Sequence, residues 1–174
     1  AAEEAREAAE ETMQKFNAAH PTSAAVLLTG APASGKTSLL SQVVVHSLGA
    51  ELVPIVIKVQ LLQRRLLNRP DEFAAASNWV DAYLRHEYQD QPPVYRFLRQ
   101  ALRSRRMLLL LDGLDEGGAK RREIERHVTE VLAPQGHVIL CTSRPAGLDE
   151  ARFAGFCLLA LEPLSEAQQR EALV

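Results

Sequence analysis

The sequence predicts an α/β domain built on a parallel β-sheet with helices on both faces. Three observations carry that expectation. Short apolar runs alternate with longer helical stretches along most of the chain, the pattern of repeated strand–helix units. The run Met107 to Leu111 (MLLLL) is apolar at every position, so both of its faces must be covered, as in a parallel sheet between helices. The run Ala24 to Thr29 passes through the glycine-bearing segment Gly30 to Thr37 (GAPASGKT) into an apolar helical stretch, Ser38 to His46.

Residues 2 to about 18 follow a helical pattern, with Ala5, Ala8, Ala9, Thr12, Met13 and Phe16 on one face and Pro21 as the stop. Strand 1 covers about 25–29. The helix after the glycine-bearing segment begins near Gly35. Leu52 to Val59 (LVPIVIKV), rich in β-branched residues, is strand 2. Gln60 to Tyr88 is mostly helical, broken near Asn68-Arg69-Pro70, since proline lacks a donor and clashes with the preceding turn. Pro92-Pro93 restarts a helix to about Ser104, because a preset φ suits a first helical turn. Met107 to Leu111 is strand 3, Arg121 to Leu132 a helix, His137 to Thr142 strand 4 and Phe156 to Leu161 strand 5. Ser165-Glu166-Ala167-Gln168 fits a capping box that opens a last helix. The organisation expected is an N-terminal helix over residues 1–21, a core over 22–164, and the start of a further helical subdomain over 165–174. Both ends fall inside helical patterns, which suggests a fragment of a larger protein. No internal repeat or low-complexity linker is visible.

The chain has 174 residues, 47% of them hydrophobic, and a formal net charge of −2. That suits one domain with its own core and argues against disorder. Basic residues do not mass into a patch. The nearest cluster, Arg103, Arg105 and Arg106, reads as a solvated helix end before strand 3, so duplex nucleic acid is not an expected partner. Glu3, Glu4, Glu7, Glu10 and Glu11 near the start are incompatible with a signal peptide. The apolar runs are too short to span a bilayer, and a cytoplasmic location is expected. Cys141 and Cys157 make no disulfide framework; each sits in an apolar strand and is expected to be a free thiol. His20, His46, His86, His127 and His137 are scattered without metal-ligand spacing and are expected at the surface or at strand edges.

The chemistry begins at Gly30 to Thr37, which fits G-x-x-x-x-G-K-[ST], the phosphate-binding loop of nucleotide-binding proteins. Gly30 and Gly35 permit backbone angles that a β-carbon forbids, so the loop can aim several N–H groups at one anion. The helix that follows adds its positive end. Lys36 supplies a charge for the β- and γ-phosphates, and Thr37 a hydroxyl for Mg²⁺. The candidate nucleotide contacts are Gly30, Ala31, Pro32, Ala33, Ser34, Gly35, Lys36, Thr37 and Ser38.

Leu108 to Glu116 (LLLLDGLDE) places Asp112 at the carboxyl edge of the sheet, where α/β folds bind ligands. Acidic residues after a strand are common turn residues. Following an apolar strand downstream of a phosphate loop, Asp112 is a candidate to hold Mg²⁺ opposite Thr37. Gly113 lets the chain turn at once, which leaves Asp115 and Glu116 within reach of a γ-phosphate, where one of them can orient or deprotonate a water. Val138 to Pro145 (VILCTSRP) is a second apolar strand with a polar carboxyl end. Thr142 or Ser143 can hydrogen-bond a phosphate or a water. Two readings stand for Arg144: a γ-phosphate contact through charge-assisted bonds, or a surface arginine held in a turn by Pro145.

LLLLDGLDE followed by VILCTSRP resembles the NACHT family of the STAND class of P-loop NTPases. LVPIVIKVQ is similar to that family's second strand, and LEPLSEAQQREAL to its strand-to-helix exit. The resemblance runs from about Ala24 to Val174. It implies a slowly hydrolysing regulatory switch in which ADP holds a closed state and ATP exchange permits opening and homo-oligomerisation. It also implies an attached effector domain and a repeat sensor, as in innate-immune signalling. The cofactors implied are ATP or ADP with Mg²⁺. Gly30, Gly35, Lys36 and Thr37 correspond to the phosphate loop, Asp112 to the Mg²⁺ carboxylate, Asp115 and Glu116 to the hydrolytic acidic pair, and Arg144 to the sensor. The strand order implied is 5-1-4-3-2. The chain departs from the family in length: the helical and winged-helix subdomains that close over the nucleotide would begin where it ends.

Rival readings meet specific obstacles. None of Lys15, Lys36, Lys58 and Lys120 sits in an Asn-Lys-x-Asp guanine motif, and the transporter signature Leu-Ser-Gly-Gly-Gln is missing. A small-molecule kinase would need an arginine-rich lid, for which Arg64, Arg65, Arg69 and Arg85 are candidates. A degenerate partner-binding module is at odds with an intact Lys36, Thr37 and Asp112.

Overall fold

The computed structural model describes residues 24–49, 51–146, 148–163 and Arg170. The helix expected over residues 2 to 18 and the capping box at Ser165 lie outside the described residues. Five strands form one sheet: β1 (Ala25–Gly30), β2 (Val53–Lys58), β3 (Met107–Asp112), β4 (Val138–Ser143) and β5 (Cys157–Leu161). Their order across the sheet is β2-β3-β4-β1-β5, and the pairings are parallel. This is the 5-1-4-3-2 order that the family resemblance implied, read from the other edge.

The helices are α1 (Lys36–Ser47), α2 (Val59–Asn68), α3 (Pro70–Ala74), α4 (Trp79–Glu87), α5 (Pro92–Arg103) and α6 (Arg121–His127). Pro70 and Pro92 each begin a helix, the positions where a missing N–H costs nothing. Asn78 opens α4 by accepting the Val80 N–H on its side-chain oxygen at 2.9 Å. The stretch expected as one helix from Arg121 to Leu132 changes pitch midway. Val128–Leu132 is π-helical, and the Ala133 N–H reaches back to the Val128 carbonyl at 3.0 Å.

Strand alternation sorts the core into two layers. Met107, Leu109 and Leu111 of β3 join Leu27, Ile57, Ile139 and the apolar faces of α2, α4, α5 and α6. Leu108 and Leu110 face the other way, against Leu40, Val43 and Val44 of α1. Helices on both faces explain why β3 is apolar throughout and buried from Met107 to Leu111. Every strand therefore points its carboxyl end the same way, and β1, β4 and β3 deliver Gly30, Ser143 and Asp112 to one edge. Among the described residues no helix is long and apolar enough to cross a membrane.

The expectation that the histidines lie at the surface or at strand edges is corrected for two of them. His137 is 1% exposed and lies inside the fold, with its Nε2 3.5 Å from Arg105 Nη1. His127 is half-buried and stacked flat on Trp79, ring centroids 4.3 Å apart. Arg103, Arg105 and Arg106 are exposed at the end of α5 just before β3, as expected of a solvated helix end. Arg105 takes a left-handed φ of 59° and donates to the Gln135 and Leu102 carbonyls, and Arg106 pairs with Glu51 at 3.1 Å. The turn before β3 is thereby tied to the turns that lead into β4 and β2.

Candidate functional site

The loop after β1 owes its shape to a few backbone constraints. Gly35 sits at φ 92°, ψ 12°, a left-handed conformation, and caps α1 with no side chain. The first-turn N–H groups of α1 thus keep their hydrogen-bonding capacity for a ligand. Ala33 is also left-handed, at φ 58°, so the loop carries strain of the kind found at ligand clamps. A β-carbon on Gly30 would lie 2.7 Å from Ser34 Oγ, so the loop folds back onto its own start. Lys36 Nζ donates to the Gly30 and Ala31 carbonyls at 2.8 and 2.7 Å and approaches Ser34 Oγ at 3.4 Å.

Across the cavity stands Asp112, the last residue of β3. Its Oδ2 accepts the Thr37 hydroxyl at 3.1 Å, and its Oδ1 accepts the Thr142 hydroxyl at 2.8 Å. The two residues expected to share a cation are therefore in contact across 75 positions of sequence. One carboxylate and one hydroxyl, with room for phosphate oxygens and waters, is a donor set that suits Mg²⁺. Among the described residues no group of three acidic, histidine or cysteine side chains is placed to hold a metal, so the nucleotide would have to supply the remaining ligands.

Gly113, at φ 78°, turns the chain under the cavity. A β-carbon there would meet Glu116 Cδ at 3.1 Å, so glycine also makes room for the Glu116 side chain. Glu116 is exposed on the cavity wall. Asp115 is engaged elsewhere. Its Oδ1 accepts the Arg144 backbone N–H, and its Oδ2 forms an ion pair with Arg144 Nε, both at 3.1 Å. The Asp115 side chain is 12% exposed and that of Arg144 50%, so the pair is anchored on its acidic side and open on its basic side.

Pro32 to Ser38, Asp112, Asp115, Glu116 and Arg144 all line one cavity of about 330 Å³. Gly30 and Ala31 lie behind it and take part through their carbonyls. Two sequence readings are corrected here. Thr142 and Ser143 are fully buried and their hydroxyls are already committed, Thr142 to Asp112 and Ser143 to the Arg144 carbonyl at 3.0 Å. Neither offers a free hydroxyl to a phosphate. The Asp115–Arg144 pair was missed as well, although the inferred strand order, with β4 beside β3, held the signal for it. Of the arginines considered as a kinase lid, Arg64, Arg65 and Arg69 line a separate hollow that shares no residue with this cavity. Arg65 and Arg69 there are paired with Glu87 and Glu72, each at 2.7 Å.

A comparison with curated protein sequences found no match. Solved structures do match in fold. Domain III of the Thermotoga maritima replication initiation protein DnaA aligns with a TM-score of 0.56 at 17% identity, over 90% of this chain and 62% of that one. AMPPCP-bound DnaA from Aquifex aeolicus aligns at 0.54 and 16%, over 97% and 48%. C. elegans PCH-2 aligns at 0.53 and 16%, over 85% and 38%. The chain thus spans less than two thirds of each of these structures, and at such identities the likeness concerns the fold alone. The model of the NACHT domain, a P-loop NTPase domain, matches residues 24–174, and with its phosphate loop in place the chain belongs to the NACHT family as a nucleotide-binding module.

Proposed function

We propose that this domain is a slowly hydrolysing ATP switch that governs the assembly or signalling of a larger protein. The observation that carries the reading is the Arg144–Asp115 pair beside the phosphate loop. The residue expected to contact a γ-phosphate is held by one of the two residues expected to support hydrolysis. A γ-phosphate competes with Asp115 for the exposed Arg144 guanidinium. Transfer of Arg144 would free Asp115 to act beside Glu116 on a water. ADP has no γ-phosphate and leaves the pair intact. Two arrangements biased by one phosphate make a switch element, which a constitutive enzyme has no need of.

In this reading the N–H groups at the start of α1 and Lys36 hold the β- and γ-phosphates, and Thr37 with Asp112 takes Mg²⁺, which neutralises developing charge on the phosphates. Glu116 is the better-placed general base, exposed on the cavity wall. The AMPPCP-bound DnaA structure, similar in fold, is in keeping with a triphosphate ligand. The rest of the proposal is organisational: a helix over 1–21, a nucleotide-binding core over 22–164 and the start of a downstream subdomain from 165. It extends to effector and repeat-sensor domains in the same protein, nucleotide-dependent homo-oligomers and a cytoplasmic, innate-immune setting.

The test compares ATP·Mg²⁺ and ADP·Mg²⁺ by thermal stability and by phosphate release, in the native chain and in Arg144→Ala. A switch is stabilised by both nucleotides, releases phosphate slowly, and loses its distinction between ATP and ADP in the variant. Absence of any nucleotide-induced shift would make the domain an interaction module. Phosphate transfer only in the presence of a second substrate would make it a kinase.

A further inference from the structure

Thr142 is the penultimate residue of β4 and 0% exposed. Its Oγ1 lies 2.9 Å from the Gly113 nitrogen and 2.8 Å from Asp112 Oδ1. The polarity of this chain of bonds is fixed by chemistry. A backbone N–H can only donate and a carboxylate only accept, so the Thr142 hydroxyl receives from Gly113 and gives its single proton to Asp112. Oδ1 is thereby turned toward β4. Oδ2, the oxygen 3.1 Å from the Thr37 hydroxyl, is the one left facing the phosphate loop.

We infer that Thr142 is a positioning residue that selects the Mg²⁺-facing oxygen of Asp112. The inference rests on the proposed reading of Asp112 as the Mg²⁺ carboxylate. An aspartate at the end of a strand has two side-chain torsions, and the other hydrogen bond to this carboxylate comes from Thr37, itself on the ligand side of the cavity. Thr142 therefore supplies the fixed end. Ser143 cannot replace it, because its hydroxyl donates to the Arg144 carbonyl. The same hydroxyl satisfies the buried N–H of Gly113, where the chain turns toward Asp115 and Glu116, so one side chain ties the carboxylate to the turn that carries the acidic pair. Groups that orient a metal ligand in this way typically change affinity by 10- to 100-fold when removed.

The experiment measures the affinity of a fluorescent ATP analogue with Mg²⁺ and with EDTA, for the native chain, Thr142→Val, Thr142→Ser and Asp112→Ala. Amide hydrogen exchange at Gly113 is followed in nucleotide-free protein. Thr142→Val keeps the side-chain shape and removes the hydroxyl. It should weaken Mg²⁺-nucleotide binding by about 10-fold or more, leave the EDTA value unchanged and speed exchange at Gly113. Thr142→Ser should restore both. Native Mg²⁺ affinity in Thr142→Val, or an equal loss with and without Mg²⁺, overturns the inference. If Asp112→Ala retains the full Mg²⁺ enhancement, the metal reading itself fails; if it loses the enhancement and Thr142→Val does not, only the positioning role fails. Should Thr142→Val not fold, Thr142→Ala against Thr142→Ser makes the same comparison.

Discussion

Lys36 anchors its ammonium on the Gly30 and Ala31 carbonyls of the loop and is not among the buried core residues. Lys36→Ala should therefore leave the fold intact and remove most nucleotide binding. A ligand at 100 times its Kd stabilises a protein by about 2.7 kcal/mol. That gain should vanish in the variant by thermal or chemical denaturation, and a variant that keeps it would contradict the phosphate-loop assignment. The two acidic sites should separate in the same assay. Asp112→Ala removes the partner of Thr37 and should weaken Mg²⁺-nucleotide binding. Glu116→Gln keeps shape and hydrogen bonding and should slow phosphate release with little change in binding. Asp115→Asn belongs beside it, because Asp115 is tied to Arg144 and its effect should depend on whether a γ-phosphate competes for that arginine. At this scale the sequence disclosed residues whose type is demanded by chemistry: a lysine between glycine and threonine, and an acid at the end of an apolar strand. It could not disclose where the Thr142 hydroxyl points, since a polar residue at a strand end faces ligand or protein depending on one χ angle.

Helix α4 shows what an element adds. Its first free N–H, from Trp79, is accepted by His127 Nε2 at 3.1 Å, while the Asn78 side-chain oxygen caps Val80. The Trp79 ring stacks on the same imidazole. Burial lowers the His127 pKa to about 4, and burial together with the Arg105 charge does the same for His137. Both values lie below the ordinary 6.5, so between about pH 6.5 and 4 the unfolded chain binds more protons than the folded one. The stabilisation is complete above about 6.5 and is lost as pH falls through that window. With His127 only half-buried, its share is on the order of 1 kcal/mol. His127→Gln keeps an acceptor for Trp79 and does not titrate. Its denaturation midpoint should fall less steeply with acid than that of the native chain, and parallel slopes would refute the assignment. None of this could be read from spacing, because His127 and Trp79 meet through the packing of α6 on α4. The break at Pro70 and the helix start at Pro92 were legible because proline acts locally, whereas the π-helical turn after His127 has no local signature.

The whole molecule was legible in class because a parallel sheet leaves strands apolar on both faces, as in Met107 to Leu111. Its strand order was not legible from periodicity, which says nothing about neighbours; the order came from the family resemblance and agrees with the structure. That order sets the last expectation. With β4 between β3 and β1, the strand ends deliver Asp112, Arg144 and the phosphate loop to one cavity of about 330 Å³. Among the described residues its lining is mostly polar, with Pro32 and Ala33 the only apolar side chains. Such a surface grips phosphates and Mg²⁺ but offers no apolar slot for a base, and high-affinity sites bury most of their ligand. This chain should therefore bind ADP and ATP with a Kd in the micromolar to millimolar range, about −8 to −4 kcal/mol. Since differences in affinity appear mainly in the off-rate, bound nucleotide should leave quickly. A chase of fluorescent ADP with excess unlabelled ADP is expected to finish within seconds. Release over many minutes would mean that these residues already enclose the base, and that closure of the site does not depend on further domains.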